Sequence, residues 1–287
     1  MSLSILTVHA HPDDESSKGP GTISMYSSQG IRTTLVCCTG GEVGDILNPA
    51  MDRTEVRENL ASVRRAELDS AAAIIGYDEV VMLGYRDSGM PDSDHNQHPE
   101  AFANAELDTA VERLVKIIRR VRPQIMVTYP EVQSRYPHPD HLQVTAVSLP
   151  AYERAGDPDW YPEAGPPYEP SKLYAPIWSR QRLLRVHQAF VDRGLESPYD
   201  KKWLSGRDRD DRITAVIKVD NAVRRKALLA HATQVDPESP FWFGLPDAVQ
   251  DAIHPYEEYM LLRSRVATEE IEDDLFAGLR HLDGGTG

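Results

Sequence analysis

The sequence predicts an α/β protein with a doubly wound, mainly parallel (Rossmann-like) sheet and an irregular C-terminal elaboration. Two observations lead to this fold class. Strand-like and helix-like segments alternate through the first half of the chain, as they do in parallel sheets with helices on both faces. The composition, with 40% apolar and 26% charged residues among 287, is that of an ordinary globular protein.

Short apolar or β-branched runs predict the strands of this sheet, and periodic apolar residues predict the helices between them. The strands are expected at residues 4–10, 32–41, 79–85 and 124–130. The helices are expected at residues 21–30, 53–76 and 105–123. The second helix has a clear apolar face, formed by Val56, Leu60, Val63 and Leu68, and should end at Gly76.

The alternation weakens after about residue 150. Residues 156–172 are rich in proline, glycine and acids and predict a long loop, which is either a lid or an inert connection. Later strands are expected at 172–179 and 213–220, and a helix at 222–234. We therefore expect one domain over residues 1–287, with an α/β core at 1–150 and an elaboration at 151–287; a separate second domain is the alternative.

Charge and cysteine content exclude several classes of protein. The formal net charge is −14, from 31 Lys and Arg against 45 Asp and Glu, so no nucleic-acid partner is expected. Cys37 and Cys38 are neighbours and predict buried strand residues rather than a disulfide. No signal peptide or bilayer-spanning apolar run is evident, which predicts a cytoplasmic protein without a membrane partner.

Two His-Pro-Asp motifs follow predicted strands. HPDDE begins at His11 after the first strand, and HPDH begins at His138 after the fourth. Ligands bind at the carboxyl ends of the strands in doubly wound sheets, so the two motifs can converge. Histidine and aspartate bind zinc, and a catalytic zinc keeps three protein ligands. We therefore predict that His11, Asp14 and His141 hold one Zn²⁺ per chain, or Fe²⁺, which accepts the same ligand types.

The other residues of the motifs have expected catalytic roles beside such an ion. Asp13 is the candidate general base. His138 is expected to stabilise an oxyanion or protonate a leaving amine, Asp140 to orient a histidine, and Tyr136 to donate a hydrogen bond to the oxyanion. Alternatively, each motif is only a turn before a helix capped by Asp13 or Ser16. Two such motifs, both after parallel-type strands, favour the metal site.

At these motifs the chain resembles the LmbE-like (PIG-L) family of zinc-dependent N-deacetylases and amidases, whose signature reads AHPDDE with a later HPDH. The similarity continues through RRAELDSAA, RDSGMP and AHATQVDP to about residue 265. HPDDESSKG and ILNPAMD resemble the mycothiol S-conjugate amidase branch of that family. The resemblance implies the same metal ligands and general base as above, with Asp140 as the orienting aspartate and Tyr136 as a mobile active-site tyrosine.

The resemblance also implies substrate contacts. Lys18 is at the position of a lysine in the amidase branch and is expected to contact the cysteinyl half of a conjugate. Arg64 and Asp87 match residues that line the glucosamine–inositol pocket. As alternatives, Arg64 forms a helical ion pair with Glu67, and Asp87 forms a turn before Gly89.

The expected function is a zinc-dependent amidase that hydrolyses the cysteinyl–glucosamine amide of mycothiol S-conjugates, in detoxification or natural-product biosynthesis. The 1–150 core would carry the metal site and residues 151–287 would shape the substrate pocket. The first alternative is an N-deacetylase acting on an N-acetylglucosaminyl substrate, either the mycothiol precursor or an antibiotic intermediate. The second is a non-catalytic, metal-dependent sugar-binding protein. Ser134 and Arg135 replace a Gly-Gly pair that is usual in the family, which concerns substrate identity more than metal chemistry.

Overall fold

The computed structural model describes residues 2–133, 137–199, 204 and 212–280 of the chain. Its strands are β1 (Ser4–His9), β2 (Arg32–Thr39), β3 (Glu79–Tyr85), β4 (Ile125–Val127), β5 (Lys172–Ile177), β6 (Ala215–Lys218) and β7 (Tyr256–Ser264). They form one sheet of order β3-β2-β1-β4-β5-β7-β6. The first five strands are parallel, whereas β7 runs antiparallel to β5 and β6. The predicted fold class is therefore confirmed.

The helices cover both faces of this sheet. They are α1 (Asp14–Ser17), α2 (Pro20–Ser28), α3 (Thr54–Glu58), α4 (Leu60–Ile75), α5 (Leu107–Val121), α6 (Pro139–Arg154), α7 (Arg180–Val191), α8 (Asn221–Ala230), α9 (Pro240–Phe243) and α10 (Asp247–Ile253). The adjacent strand residues Ile5 and Leu6 point to opposite faces and pack into two different apolar clusters. Leu6 packs with residues of α5 and α6, and Ile5 with residues of α2, α4 and α8. None of the described helices is long and apolar enough to cross a bilayer.

The predicted helix over residues 53–76 is wrong at one position, because Asn59 divides it into α3 and α4. Asn59 has φ −122° and ψ 22°, outside the helical region. Its side-chain amide donates to the carbonyl of Glu55 at 2.9 Å, so the side chain competes with the backbone for that acceptor. The helix does end as predicted at Gly76, which has φ 96°, a conformation that glycine adopts without strain.

The second half of the chain extends the same sheet. β5 pairs in parallel with β4, and β7 pairs antiparallel with β5 from Glu258 to Ser264. Helix α7 and strand β7 lie in segments for which the sequence predicts no element. The partition into a core at 1–150 and an elaboration at 151–287 stays a prediction. Cys37 and Cys38 are buried and unbridged in β2, as expected.

The loop at residues 156–172 is attached to α5 through Arg119. The guanidinium of Arg119 is buried and donates to six backbone carbonyl groups, those of Arg154, Ala155, Asp157, Trp160, Tyr161 and Gly165. A planar group with five N–H donors can satisfy several carbonyl groups at once. This attachment favours an inert connection over a lid.

Candidate active site

The two predicted motifs meet at the carboxyl edge of the sheet. β1 and β4 are neighbours in the sheet, with Thr7 opposite Val127. The chain leaves β1 through His11 into α1, and after β4 it enters α6 through His138. His138 is the N-cap of α6 and Pro139 its first residue, a position where proline is favoured because its missing N–H has no helical partner.

Three buried side chains of these motifs converge on one point. The Asp14 Oδ2 atom lies 3.5 Å from His11 Nδ1 and 3.4 Å from His141 Nε2. Their ligand atoms all lie within 4.8 Å of one another. Atoms bound about 2.1 Å from a tetrahedral zinc lie about 3.4 Å apart, so this donor set fits such an ion. The backbone N–H of His11 also donates to Asp14 Oδ2 at 2.9 Å, which fixes the turn between the two residues.

Asp140 lies behind His11. Its Oδ2 atom is 3.0 Å from His11 Nε2, the ring nitrogen that does not face Asp14. The Asp140 carboxylate is fully buried and also accepts hydrogen bonds from the backbone N–H and hydroxyl of Ser88. A carboxylate bound to the outer nitrogen of a ligating histidine fixes its tautomer and orientation. His11, His138 and Asp140 form a second possible donor group, but this hydrogen bonding favours an orienting role for Asp140.

Lys18 and the histidines determine the charge state of Asp14. The Lys18 ammonium forms an ion pair with Asp14 Oδ1 and lies 5.5 Å from the centre of the Tyr129 ring. Burial alone raises the pKa of Asp14, but Lys18, His141 and His11 outweigh it and hold the pKa well below its usual value. The Asp14 carboxylate is therefore anionic. The crowded negative charge of HPDDE is compensated by neighbouring cationic or hydrogen-bonding groups.

Asp13 is beside this cluster and has an unusual backbone conformation. Its φ is 116°, which non-glycine residues rarely adopt. The backbone N–H of Asp13 donates to Glu15 Oε2 at 2.9 Å, and its Oδ2 atom lies 3.3 Å from Arg64 Nη2. Burial raises the pKa of the Asp13 carboxyl, although the positive charge of Arg64 opposes this shift. A carboxylate made more basic in this way suits proton transfer.

His138 faces the same centre from α6. Its ring centre lies 4.6 Å from that of His11. Burial, together with His11 and His141, lowers the pKa of His138 to about 4. Its Nδ1 atom accepts the backbone N–H of Asp140 at 3.2 Å, so the neutral ring carries its proton on Nε2.

Arg64 and Asp87 are both buried beside the motifs. Arg64 donates to the carbonyl groups of Gly41 and Pro12, at 2.7 and 2.6 Å. Glu67 accepts hydrogen bonds from Thr233 rather than serving as the helical partner of Arg64. Asp87 forms a turn before Gly89, which is the alternative role expected for it from the sequence. Its Oδ1 atom accepts the N–H of Gly89 at 2.8 Å. The same atom lies 3.6 Å from His11 Nε2.

Ser134, Arg135 and Tyr136 lie outside the described residues. His231 lies in the AHATQVDP segment of the resemblance, but the sequence pattern gives it no role; the structure brings it next to the first motif. His231 Nε2 lies 2.6 Å from Glu15 Oε1, and both side chains are fully buried. Burial lowers the pKa of His231, but Glu15 outweighs it and the pKa is raised.

Comparison with known proteins places the chain among related hydrolases. Residues 6–152 match the family model described as PIG-L, GlcNAc-PI de-N-acetylase. The chain is 44% identical to a mycothiol S-conjugate amidase of Streptomyces coelicolor, over 97% of this chain and 98% of the relative. It is 38% identical to a 1D-myo-inositol 2-acetamido-2-deoxy-α-D-glucopyranoside deacetylase of Geodermatophilus obscurus, over 96% and 97% of the two chains.

A solved structure with the same fold is the N,N'-diacetylchitobiose deacetylase of Pyrococcus horikoshii. The TM-score is 0.61 over 91% of this chain and 84% of that one. Sequence identity is 17%, so this likeness concerns the fold alone.

Proposed function

The chain belongs to the PIG-L family, and from that premise we propose that it is a metal-dependent amidase of mycothiol S-conjugates. The bond cleaved is the amide between the cysteinyl group and glucosamine. The products are an N-acetylcysteine conjugate and glucosaminyl-inositol. The observation that carries the proposal is the position of Asp13 beside the buried donor set of His11, Asp14 and His141.

The metal proposed for this site is Zn²⁺, with Fe²⁺ as the alternative. His11, Asp14 and His141 would hold a divalent ion, which would supply Lewis acidity for the scissile carbonyl and for a nearby water. Asp140 holds His11 through its outer ring nitrogen, so that Nδ1 stays directed toward Asp14.

In this proposal Asp13 transfers the proton and His138 stabilises the negative charge that develops on the carbonyl oxygen. Asp13 accepts a proton from the attacking water and returns it to the leaving amine nitrogen, so that the amide C–N bond breaks without an amide anion. His138 donates its Nε2–H to the carbonyl oxygen as negative charge develops there. Tyr136 is proposed to donate a second hydrogen bond to that oxygen.

Lys18 is the proposed contact for the cysteinyl half of the conjugate. Its side chain is 27% exposed, compared with 4% for Asp14, so it can reach a bound molecule. Arg64 and Asp87 are proposed to line the sugar pocket, where Arg64 also holds the loops at Pro12 and Gly41 in place.

The second candidate function is N-deacetylation of an N-acetylglucosaminyl compound, which the 38% identity to the deacetylase supports. A non-catalytic sugar-binding role has no such support, because both named relatives are hydrolases. Amine release by the zinc-loaded protein, measured on a mycothiol S-conjugate beside the acetylated glucosaminyl-inositol precursor, separates the two. Preferential hydrolysis of the conjugate is the expected result, and preferential hydrolysis of the precursor would contradict the amidase assignment.

A further inference from the structure

A cavity away from the candidate metal ligands lies among α7, α8, α9 and α10. Its volume is about 40 Å³, enough for a carboxylate group or about three water molecules. Its lining includes Arg182, Phe190, Arg224, Phe241, Trp242 and His254. This combination of two guanidinium groups, an imidazole and aromatic rings has no role in the chemistry proposed above.

The two guanidinium groups make cation–π contacts with tryptophan rings. Arg182 is only 9% exposed, and its guanidinium lies 4.6 Å from the centre of the Trp178 ring. Arg224 lies 5.8 Å from Trp178 and 5.7 Å from Trp242. Among the residues that the structure describes, neither arginine has a carboxylate within ion-pair distance. Cation–π contacts stabilise these charges only partly, so a site with unneutralised positive charge remains.

The nearby acidic residues Glu257 and Glu258 form hydrogen bonds with groups other than these two guanidinium groups. Glu257 accepts hydrogen bonds from the backbone N–H groups of Gly21 and Thr22, and Glu258 accepts one from Ser179. Burial and the like charge of Arg182 lower the pKa of Arg224 to about 9, which agrees with two cations that share no counter-ion.

His254 also lines the cavity, but its Nε2 atom lies 3.6 Å from Glu258 Oε2, so the imidazole already has a carboxylate partner. The two guanidinium groups therefore carry the unneutralised positive charge of the cavity. A ligand that binds them must accept hydrogen bonds and carry negative charge.

The strand order relates this cavity to the metal site. Trp178 follows directly after β5, and β5 is the neighbour of β4, whose carboxyl end leads to the second motif. Neighbouring strands lie about 4.8 Å apart, so the cavity and the centre share one edge of the sheet at a distance of a few strands. An extended group bound at the centre would have to span this separation to reach the cavity.

We propose that this cavity is a carboxylate-binding subsite of the amidase, and that preferred conjugates carry a carboxylate on a planar thiol-linked group. Arg182 and Arg224 would bind the carboxylate, while Trp178 and Trp242 favour a flat group beside it. This inference rests on the proposed function for the source of the carboxylate. Because the chain carries a net charge of −14, such a local cationic site is also what would draw an acidic substrate to an acidic protein.

The test compares two mycothiol conjugates of equal shape, with S-(4-carboxybenzyl) and S-(4-carbamoylbenzyl) groups. Wild-type enzyme should show a KM about tenfold lower for the acid, which is the effect of a charge-assisted hydrogen bond, with similar kcat values. Arg224→Gln should remove this preference by raising the KM for the acid about tenfold. Arg185→Gln removes the same charge from an exposed position of α7 and should retain the preference.

Calorimetric binding of both conjugates to the metal-free protein separates this inference from the proposed reaction. Tighter binding of the acid that Arg224→Gln abolishes supports the subsite even if neither conjugate is hydrolysed, a result that would contradict the proposed amidase instead. Equal binding of acid and carbamoyl forms, or the same loss in Arg185→Gln, overturns the subsite. Binding of free benzoate that depends on Arg224, without acid preference among the conjugates, would assign the cavity to a separate anion and overturn the substrate assignment.

Discussion

Asp140 lies behind the candidate metal ligand His11, and we expect it to fix the orientation of that ligand. Its carboxylate bonds the outer nitrogen of His11 and accepts both donors of Ser88. We expect Asp140→Asn to lower zinc affinity by about 10- to 100-fold, because an amide cannot accept from all three groups at once. Competition with a chromophoric chelator measures the dissociation constant. Asp94→Asn, at an exposed position, is the control, and equal zinc affinity in the two variants would show that Asp140 does not orient His11.

The buried ion pair of His231 and Glu15 is a second case in which one residue matters, because it contributes to the stability of the fold. Removing one partner leaves a buried charge uncompensated, so His231→Gln should lower the free energy of unfolding by about 3–5 kcal/mol. Urea denaturation measures this loss. The double variant with Glu15→Gln should recover part of it. His95→Gln, at an exposed position, should change little.

The pH dependence of this pair follows from the raised pKa of His231. A group whose pKa is raised on folding contributes stability that is fully present below its unfolded pKa, about 6.5. This contribution is lost as pH rises through the folded-state pKa. The stability difference between wild type and His231→Gln should therefore shrink above neutral pH; a difference that grows with pH would contradict the charged pair.

Much of the centre could be predicted from these residues, because both motifs are local and their spacing is regular. The sequence places His11, Asp14 and His141 at strand ends, and their side chains do converge. His231 could not be found in this way. Its partner is 216 residues away, so only the packing of α8 against the first motif brings them together.

Among the secondary-structure elements, the loop at 156–172 offers a direct test of the Arg119 attachment. Lysine cannot satisfy several carbonyl groups in the way that the arginine fork does. We expect Arg119→Lys to lower the free energy of unfolding by about 1.5–3 kcal/mol and to increase amide hydrogen exchange in residues 156–168. Because the attachment through Arg119 favours an inert connection over a lid, we expect kcat to stay unchanged. A fall in kcat with unchanged hydrogen exchange would assign the loop to the catalytic cycle.

A comparison of helix α5 with strand β7 shows which elements a local sequence pattern can predict. Helix α5 has a strong apolar periodicity, and it begins and ends within two residues of the predicted range 105–123. Strand β7 carries Glu257 and Glu258 on buried positions, which obscures its strand pattern; their partners are backbone N–H groups near residues 21 and 179. Such long-range partners cannot be read from one segment alone.

At the scale of the whole molecule, the donor set joins the first motif to α6, two regions separated by more than 120 residues. A metal that binds only the folded chain stabilises it by about 2.7 kcal/mol at a free concentration of 100 times the dissociation constant. We therefore expect a chelator to lower Tm and zinc to restore it in wild-type protein, measured by calorimetry. His141→Ala should show neither change, and an equal zinc response in that variant would remove His141 from the ligand set.

The parallel sheet explains why the general fold could be predicted but the edge of the pocket could not. Alternating elements are a repeated pattern, so β1 to β4 and their helices follow from sequence. The antiparallel addition of β7 and the cavity among α7 to α10 depend on packing in the irregular half of the chain.

The central claim is that Asp13 transfers the proton at a metal centre formed by His11, Asp14 and His141. The most direct measurement is kcat for conjugate hydrolysis by Asp13→Asn, with the zinc content of the same sample determined in parallel. Asparagine tolerates positive φ and keeps the size of the side chain, so the fold and metal should be retained. We expect one zinc per chain and a kcat lowered by about 10²- to 10⁴-fold. Turnover near the wild-type value with full zinc content would contradict the claim.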